Sequence, residues 1–351
     1  MFEIVAKRKS GRTAFMLALI CGTAVLVAAC GKPAEPIQIG GPAQGTTYKI
    51  TVMEPGRVDA DAVRAAARRV IDDIDRQMST WRDDSEVSKF NAAKADTWIP
   101  VSPALAQVTQ RALAIGRDTG GAFDVTLGPI LRIWGFGAEA DAPQHLPTRA
   151  ELDAAREKTG IGLIEVRSDP PALRKKSADA TLDLAGLAQG FTVDRIAAAL
   201  EKLGLSHFLV ELGGELYAHG SKSDQRPWRI GVEKPESGVR AIERVVGLKN
   251  AGMTTSGDYR DYIELDGHRF SHTIDPRTGR PVAHDLRAVT VIAADALTAD
   301  AMATALLVMG PQVGMRYADK HEIAALFVSG HEGAYTEEGS NAFKPYLKEA
   351  K

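Results

Sequence analysis

Cysteine is almost absent from this sequence. The 351 residues include 2 cysteines, and one of them, Cys21, lies inside an apolar run near the N-terminus. This scarcity excludes a disulfide framework of the kind that stabilises small secreted domains. It also leaves no set of Cys and His residues that suggests a zinc site. Stability must therefore come from a hydrophobic core, which a chain long enough for one large or two ordinary domains can form.

An excess of charge of either sign is also missing. The chain has 43 Lys and Arg against 45 Asp and Glu, a net charge of −2, so nucleic acid is not an expected partner. Two nucleotide-binding signatures are absent as well: no GxGxxG follows a predicted strand, and no GxxxxGK[ST] occurs. The apolar share of 44% and the charged share of 25% are those of a soluble globular protein. Any nucleotide must be bound by other means.

The first 30 residues have the pattern of an export signal. A basic stretch that ends at Arg12 precedes an uncharged apolar run over 13–29, which is short for a transmembrane helix. The run closes with LVAAC at 26–30, which resembles the lipobox of bacterial lipoproteins and implies cleavage before Cys30 and lipidation of its thiol. An uncleaved membrane anchor is the alternative. We predict a signal peptide over 1–29, a lipidated Cys30 with a flexible Gly- and Pro-rich tether over 30–44, and a single domain over 45–345.

Apolar periodicity predicts a domain in which helices and β-hairpins alternate without a repeat. Spacings of three and four residues indicate helices over 58–78, 103–117, 191–203 and 298–309. Alternating apolar residues indicate strands within 47–53, 207–221, 228–233 and 262–274. The last segment contains Asp266-Gly267, a strong hairpin signal. Because clean strand–helix–strand units are few, we predict an α+β fold with hairpin-rich mixed or antiparallel sheets and packed helices.

One predicted helix carries two polar residues on an otherwise apolar surface. In ALTADAMATALLVMG, residues 296–310, Asp300 and Thr304 are one turn apart and share a face. A buried carboxylate has to be paired, hydrogen-bonded or bound to a metal, and these oxygen donors suit Mg²⁺ or Ca²⁺. In a purely structural alternative, backbone amides bind Asp300 and the Thr304 hydroxyl bonds the carbonyl of Asp300.

Five segments combine glycine with polar residues that a plain core does not need. They are GAFDVTLGPILRIWGFG (121–137), DLAGLAQG (183–190), ELGGELYAHGS (211–221), TTSGDYR (254–260) and SHTIDPRTGRPV (271–282). Each alone is as typical of a turn as of a functional site. Together with ADAMATAL (299–306) and STWRDDSEVSKFN (79–91), they resemble in order and rough spacing the ApbE family of FAD:protein FMN transferases, from about Gly45 to about Gly310.

The resemblance implies both a fold and a reaction. The fold is an ApbE-like α+β domain related to the T-fold, with FAD bound in a cleft. The reaction is metal-dependent transfer of FMN from FAD to a Ser or Thr hydroxyl of another protein, with release of AMP. The implied metal is Mg²⁺, with Ca²⁺ or Mn²⁺ as alternatives, held by Asp300, Thr304 and the carbonyl oxygen of Gly186. His272 is implied as the base that deprotonates the acceptor hydroxyl, and Asp275 either orients it or holds the loop.

The resemblance also assigns contacts to FAD, at Gln44, Trp81, Ala122, Phe123, Asp124, Asp183, Gln189 and Ile274. An aromatic side chain such as Trp81 can stack on a ring, and the two aspartates are suited to accept hydrogen bonds from ribose or adenine. From the Gly-containing turn alone we add Ser256 and Gly257, whose amides can face a phosphate. The chain departs from the family pattern at Gln44, where many members have Met, and at Gln189, where many have Lys or Glu.

The expected partners are FAD and an acceptor protein with a Ser- or Thr-containing motif. The family's typical acceptors are membrane respiratory or electron-transfer subunits, such as those of Na⁺-pumping quinone reductases. A lipid anchor predicts a periplasm-facing membrane; Gly31 leaves the outer membrane open, whereas such acceptors favour the inner one. Two other functions stay open. One is an FAD pyrophosphatase giving FMN and AMP, which the same residues serve. The other is a periplasmic flavin-binding lipoprotein, which does not need Asp300, Thr304 and His272 together.

Overall fold

The computed structural model describes residues 35–54, 56–137, 143, 145–222, 225–235, 242–257, 262–265, 267–331 and 333–349. The predicted signal peptide over 1–29, the lipidation site at Cys30 and Asp266 of the predicted hairpin lie outside these residues. The described residues belong to one compact unit that begins at Glu35.

Helices and strands together build an α+β domain. In the described part of the chain the helices are α1 (Ala60–Met78), α2 (Glu86–Ala92), α3 (Pro103–Asp118), α4 (Gly128–Ile133), α5 (Arg149–Arg156), α6 (Ala185–Lys202), α7 (Ala296–Lys320) and α8 (Lys344–Glu349). The strands are β1 (Ile37–Ala43), β2 (Thr46–Val52), β3 (Ile99–Pro100), β4 (Ile164–Ser168), β5 (Pro171–Lys175), β6 (Phe208–Leu212), β7 (Glu215–His219), β8 (Trp228–Glu233), β9 (Ile242–Leu248), β10 (Ala251–Gly257), β11 (Tyr262–Leu265), β12 (His268–Ser271), β13 (Ile274–Asp275), β14 (Arg280–Pro281), β15 (Leu286–Ala293), β16 (Ala324–His331) and β17 (Ala334–Gly339).

An antiparallel sheet forms the centre of the domain. Its strands follow the order β1-β2-β6-β7-β10-β15-β16-β17. Hairpins supply the pairs β1-β2, β6-β7 and β16-β17, and longer connections join the other neighbours. Apolar side chains on one face pack with α1, α6 and α7. The other face packs with the β8–β9 hairpin and α8. The prediction of a hairpin-rich α+β fold is confirmed, and the layers leave the ends of the strands beside α6 and α7 open to a cleft.

Most of the described part of the predicted tether forms a β-strand. Residues Ile37–Ala43 form β1, which pairs antiparallel with β2. The Gly and Pro residues that suggested a flexible linker instead fit an edge strand, because Gly40 and Gly41 pack directly against Tyr48: a Cβ on Gly40 would lie 2.8 Å from the Tyr48 carbonyl oxygen. Over 37–43 a strand therefore takes the place of the predicted tether.

The glycines of DLAGLAQG suggested a turn, but most of this segment is helical. Helix α6 begins at Ala185, six residues before the predicted start at Phe191. Gly190 serves close helix packing: a Cβ there would lie 2.5 Å from the Ala296 carbonyl oxygen of α7. The small residue therefore lets the two helices approach closely. In the sequence, a glycine needed for close packing cannot be distinguished from a glycine needed for a turn.

Helix α7 is longer than predicted and is interrupted. It spans Ala296–Lys320, with a break at Gly310 (φ 76°, ψ 175°) followed by Pro311. The left-handed φ is accessible to glycine without a steric cost, and Pro311 cannot continue the hydrogen-bonding pattern of the preceding turn. In length and composition this helix is also sufficient to cross a membrane, but 67% of its most apolar window is buried within the domain. It is a core helix.

Lys175 is a fully buried cation at the end of β5. Its Nζ donates to the carbonyl oxygens of Asn91 at 2.5 Å, Ala178 at 2.7 Å and Ala180 at 3.1 Å. Burial lowers the pKa of the ammonium group. All three donors of an ammonium can thus be satisfied by backbone, and Lys175 fixes the loop that leads to Asp183 and α6.

Asp194 on α6 caps the N-terminus of α7. Its Oδ1 accepts from the Ala296 amide at 2.8 Å, and its Oδ2 accepts from the Leu297 amide at 2.9 Å. These are orphan donors of the first helical turn. Burial raises the pKa of this carboxyl to about 7, against the two lowering hydrogen bonds.

Stability is expected to depend on pH through Asp194. Between the ordinary value of 3.8 and about 7, the unfolded chain has lost this proton while the folded protein retains it. The free energy of unfolding should therefore fall as pH rises across that window, by up to about 1.4 kcal/mol per pH unit. Asp194→Asn should flatten this slope. Urea unfolding of both proteins at pH 5, 6 and 7 measures it, and equal slopes would contradict the assignment.

Candidate active site

A cleft of about 1050 Å³ opens at the end of the sheet. Its walls come from the β1–β2 hairpin, the loop before α4, the start of α6, the β6–β7 turn, the end of β10, the segment before β13, and α7. Twelve of the predicted site residues line it: Ala122, Phe123, Asp124, Asp183, Gly186, Gln189, Ser256, Gly257, His272, Ile274, Asp300 and Thr304. Residues that are far apart in sequence are thus brought to one cavity.

Helices α6 and α7 bring the three predicted metal-binding residues together. Gly186 lies opposite Thr304, since a Cβ on Gly186 would be 4.0 Å from Thr304 Oγ1. One turn along, the Gly190 amide donates to Asp300 Oδ2 at 3.2 Å. The helices therefore run antiparallel at this contact, and glycine on α6 leaves room for each polar side chain of α7.

The polar groups of α7 also have protein partners. Ser256 Oγ at the end of β10 is 3.2 Å from Thr304 Oγ1, within hydrogen-bond distance. The Gly190 amide on Asp300 realises the first half of the purely structural alternative, whereas the Thr304 hydroxyl has Ser256 as its partner. The Gly190 amide uses one oxygen of the Asp300 carboxylate, Oδ2, so hydrogen bonding and cation binding are compatible at this position.

In the absence of a cation, the ionised form of the Asp300 carboxyl is electrostatically unfavourable. Burial raises its pKa well above the ordinary value, and the carboxylate of Glu215 on β7 raises it further. Two carboxylates near one another in a buried place repel when both are ionised. A bound cation would remove both penalties, because it attracts the ionised forms.

The donor set fits a hard divalent cation. A carboxylate, a hydroxyl and a backbone carbonyl are the oxygen ligands that Mg²⁺ and Ca²⁺ prefer, and Mg²⁺ is usually held by few protein ligands plus water and phosphate oxygens. Among the residues that the structure describes, no group of three or more His, Cys, Asp or Glu is placed to hold a metal. A carboxylate, a hydroxyl and a carbonyl suit a hard cation better than a metal that prefers nitrogen and sulfur ligands.

Two further aspartates face the cleft from its other walls. Asp124 Oδ1 accepts from the amide of Thr126 at 2.7 Å and from its hydroxyl at 2.6 Å, and Asp183 Oδ1 accepts from the Ala185 amide at 2.9 Å. Burial raises the pKa of both carboxyls. Local hydrogen bonds hold them in fixed positions, where they can accept from the donors of a bound ligand.

His272 lies in the cleft, whereas Asp275 does not line it. The imidazole follows β12 and meets Phe136 edge-on, with ring centroids 6.4 Å apart. Asp275 accepts instead from Arg277: its Oδ1 binds the amide at 2.9 Å and Nε at 2.8 Å. Of the two roles predicted for Asp275, the geometry therefore favours holding the turn between β13 and β14 over orienting His272.

Gln44 and Trp81, both predicted to contact FAD, lie outside the lining of the cleft. Gln44 occupies the β1–β2 turn with φ 47°. Its Nε2 donates to Thr192 Oγ1 at 3.0 Å, and its carbonyl oxygen accepts from Gln189 Nε2 at 3.3 Å. Gln44 thus positions a residue of the cleft. Trp81 is 77% exposed, so a stacking role would need a ligand that reaches beyond the cleft.

Sequence reasoning missed four charged residues of the cleft: Lys49, Glu211, Glu215 and Glu233. The signal for Glu211 and Glu215 was present, because both flank Gly213-Gly214 in a segment predicted to contain strands. The turn places their strand ends against the cleft. Nothing in the local sequence indicated that α7 would bring Asp300 near Glu215.

A deep cleft that brings together carboxylates, hydroxyls, a backbone carbonyl and an imidazole is the site of an enzyme that acts on a large polar ligand. Comparisons with known proteins identify the group to which it belongs.

The model of the ApbE family matches residues 44–327. The chain is 39% identical over 324 residues to the FAD:protein FMN transferase of Vibrio cholerae, covering 92% of this chain and 96% of that one. It is 36% identical over 318 residues to the Escherichia coli K12 protein of the same name, covering 89% and 90%. The solved structure of the flavin transferase ApbE from Vibrio cholerae superposes with a TM-score of 0.82 at 38% identity, covering 90% of this chain and all of the other. The chain belongs to the ApbE family.

Proposed function

We propose that this protein is an FAD:protein FMN transferase that depends on Mg²⁺ and modifies a Ser or Thr hydroxyl of an acceptor protein. The observation that carries the proposal is the meeting, in one cleft, of the Gly186–Asp300–Thr304 oxygen cluster with His272. The names of the relatives support the same activity. A flavin carrier has no use for this combination of groups.

The reaction replaces the phosphoanhydride bond of FAD by a phosphate ester bond to the acceptor. The acceptor hydroxyl oxygen forms a bond to the FMN-side phosphorus of FAD, the bond from that phosphorus to the bridging oxygen breaks, and AMP leaves with the bridging oxygen. His272 takes the hydroxyl proton, a task suited to an imidazole. Asp124 and Asp183 help to orient the nucleotide, which sets the line of attack.

Asp300, Thr304 and the Gly186 carbonyl would hold Mg²⁺, with Ca²⁺ or Mn²⁺ as alternatives. When bound, such a cation neutralises charge that accumulates on phosphate oxygens during phosphoryl transfer. Glu215 adds negative charge near this cluster, which strengthens attraction of a cation. Gly190, by donating to Asp300 Oδ2, orients the carboxylate.

We further propose that the protein is exported and attached through lipidated Cys30 to a periplasm-facing membrane, more favourably the inner one. The chain between Cys30 and the first residue of β1, Ile37, reaches at most about 25 Å when fully extended. Such a short linker would keep the cleft near the membrane. This position suits acceptors that are membrane respiratory or electron-transfer subunits. Globomycin, which blocks lipoprotein signal cleavage, should cause the unprocessed form to accumulate; an unchanged mass would contradict lipidation.

A mass measurement tests the activity. The chain from residue 31 is incubated with FAD, Mg²⁺ and the soluble flavin-carrying domain of a Na⁺-pumping quinone reductase subunit. We expect the acceptor to gain the mass of FMN, and EDTA to prevent the gain. Release of FMN and AMP without an adduct would establish the pyrophosphatase instead. Tight FAD binding without either product would leave a carrier.

Replacement of His272 tests the proposed base. His272→Gln keeps a polar side chain of similar reach but cannot accept a proton at neutral pH, so the transfer rate should fall by about 10²- to 10⁴-fold. FAD affinity, measured by fluorescence quenching, should stay within about threefold. His331→Gln, at the exposed end of β16, is the matched control. Equal transfer rates for the two variants would remove His272 from the mechanism.

A further inference from the structure

Strand β1 is an edge of the eight-stranded sheet, and its outward backbone groups can be identified from the register. Ala43 pairs with Thr46 across the two-residue turn, so this is a hydrogen-bonded pair. Starting from Ala43, every second residue of β1 therefore directs its backbone N–H and C=O groups toward β2. Gln38, Gly40 and Pro42 alternate with these and direct their backbone groups away from the sheet. The Pro42 carbonyl confirms the parity, since it accepts from Arg68 Nη1 of α1 at 2.7 Å.

A proline at each end of this edge limits the stretch that can pair with another strand. Pro36 directly precedes β1, Pro42 stands at an outward position, and neither has an N–H to donate; Arg68 already occupies the Pro42 carbonyl. Between them, the N–H and C=O groups of Gln38 and Gly40 have no backbone partner among the described residues. Both residues are exposed. The open stretch is therefore short, with room for a strand of about five residues.

The open stretch lies on the cleft. Gln38, Ile39 and Gly40 contribute to its wall, together with Asp300, Thr304 and His272. Gly40 has no side chain to obstruct the approach of another strand. An extended segment paired here would run along the rim of the cleft, and its alternate side chains would point toward it.

We propose that the acceptor protein docks by adding an extended segment to the edge of β1, which delivers its hydroxyl residue to the cleft. This inference rests on the proposed transferase activity. Strand addition obtains affinity from backbone hydrogen bonds and leaves specificity to pockets for alternate side chains. A second copy of the chain is a weaker occupant, because two prolines restrict the edge to a stretch far smaller than a stable dimer interface requires.

Proline substitution tests the backbone contact. Gln38→Pro removes one outward N–H and is tolerated at an edge position, so the KM for the quinone reductase acceptor domain should rise about 3- to 10-fold. The KM for FAD should not change. Gln38→Ala keeps the N–H and should raise the acceptor KM less than Gln38→Pro does. Glu337→Pro is the control at the opposite edge, since it removes an outward N–H from β17, and Glu337→Ala, which keeps the N–H, separates this loss from that of the ion pair with Arg244.

Hydrogen exchange supplies a second measurement. An acceptor whose flavin-carrying residue is replaced by Ala forms a complex that does not turn over. It should slow exchange of the Gln38 and Gly40 amides and leave that of Glu337 unchanged.

The outcomes separate the two proposals. An FMN adduct formed with equal acceptor KM by wild type, Gln38→Pro and Glu337→Pro would overturn strand addition and leave the activity intact. Protection of Gln38 and Gly40 that appears without acceptor and grows with protein concentration would assign the edge to a second copy. Absence of any adduct with the wild-type protein would overturn both.

Discussion

Asp300→Asn is expected to slow FMN transfer by orders of magnitude and, at the same time, to stabilise the metal-free protein. Asparagine retains the shape of the side chain and an oxygen that can accept from Gly190, but it carries no charge to attract a divalent cation. Loss of the electrostatic stabilisation of the transferring phosphoryl group should reduce the rate by about 10²- to 10³-fold.

The gain in stability follows from the surroundings of Asp300. The carboxyl is buried, and Glu215 adds a second negative charge, so its pKa is raised. At pH 8 the unfolded chain exposes an ionised, hydrated carboxylate, whereas the folded protein must either bury that charge or retain a proton. A neutral amide avoids this penalty, and the free energy of unfolding should rise by about 1–3 kcal/mol.

Two measurements on one preparation test this prediction. Transfer is followed by acceptor mass with and without Mg²⁺, and stability by urea unfolding in EDTA at pH 8. Asp153→Asn, which removes a carboxylate that is 58% exposed on α5, should change neither. Retained Mg²⁺-dependent transfer by Asp300→Asn would exclude Asp300 as a ligand. Lower stability without loss of transfer would make it a purely structural residue.

Lys175→Met is expected to destabilise the folded domain severely. Methionine fills a similar volume, but it leaves the carbonyl oxygens of Asn91, Ala178 and Ala180 without the ammonium that they share. Removing one partner of a buried polar contact leaves the others unsatisfied at about 1–3 kcal/mol each. We expect a loss of about 3–5 kcal/mol in the free energy of unfolding.

Urea unfolding measures the loss, with Lys158→Met as the control. Lys158 is partly exposed, and its Nζ lies 3.5 Å from Asp179, so the same change should cost less than about 1 kcal/mol. Because Lys175 fixes the loop before Asp183, the variant should also bind FAD more weakly in conditions where it is folded. Similar midpoints for the two variants would show that water or rearranged backbone replaces the ammonium.

Local signals predicted the elements of the fold better than their ends. Apolar spacing located α1 and α3 closely, because each buries one face of a regular helix against the sheet or its neighbours. It placed the start of α6 too late, since Gly186 and Gly190 look like turn residues until the opposing helix is known. Gly and Pro content assigned β1 to a linker, because the packing of Gly40 and Gly41 against Tyr48 depends on a neighbouring strand that the local sequence does not reveal.

The same limit applies to the site. Asp300 and Thr304 were identifiable, because two polar residues on one face of an apolar helix are unusual. Their neighbour Glu215 was not, since its place beside Asp300 depends on how β7 packs with α7. Asp275 shows the opposite error: proximity in sequence suggested a partner for His272, but Arg277 is closer still and binds the carboxylate.

The interruption of α7 at Gly310 has a consequence for biogenesis if the chain is exported as we propose. An apolar segment that passes through a translocation channel is held in the bilayer when about 20 uninterrupted apolar residues are available. Here Gly310-Pro311 divides the segment, and Asp300 lies within the first part, where a carboxylate opposes insertion by about 2.5–3.5 kcal/mol. Asp300, proposed to bind the cation in the folded enzyme, would thus also disfavour insertion of the unfolded chain into the membrane during export.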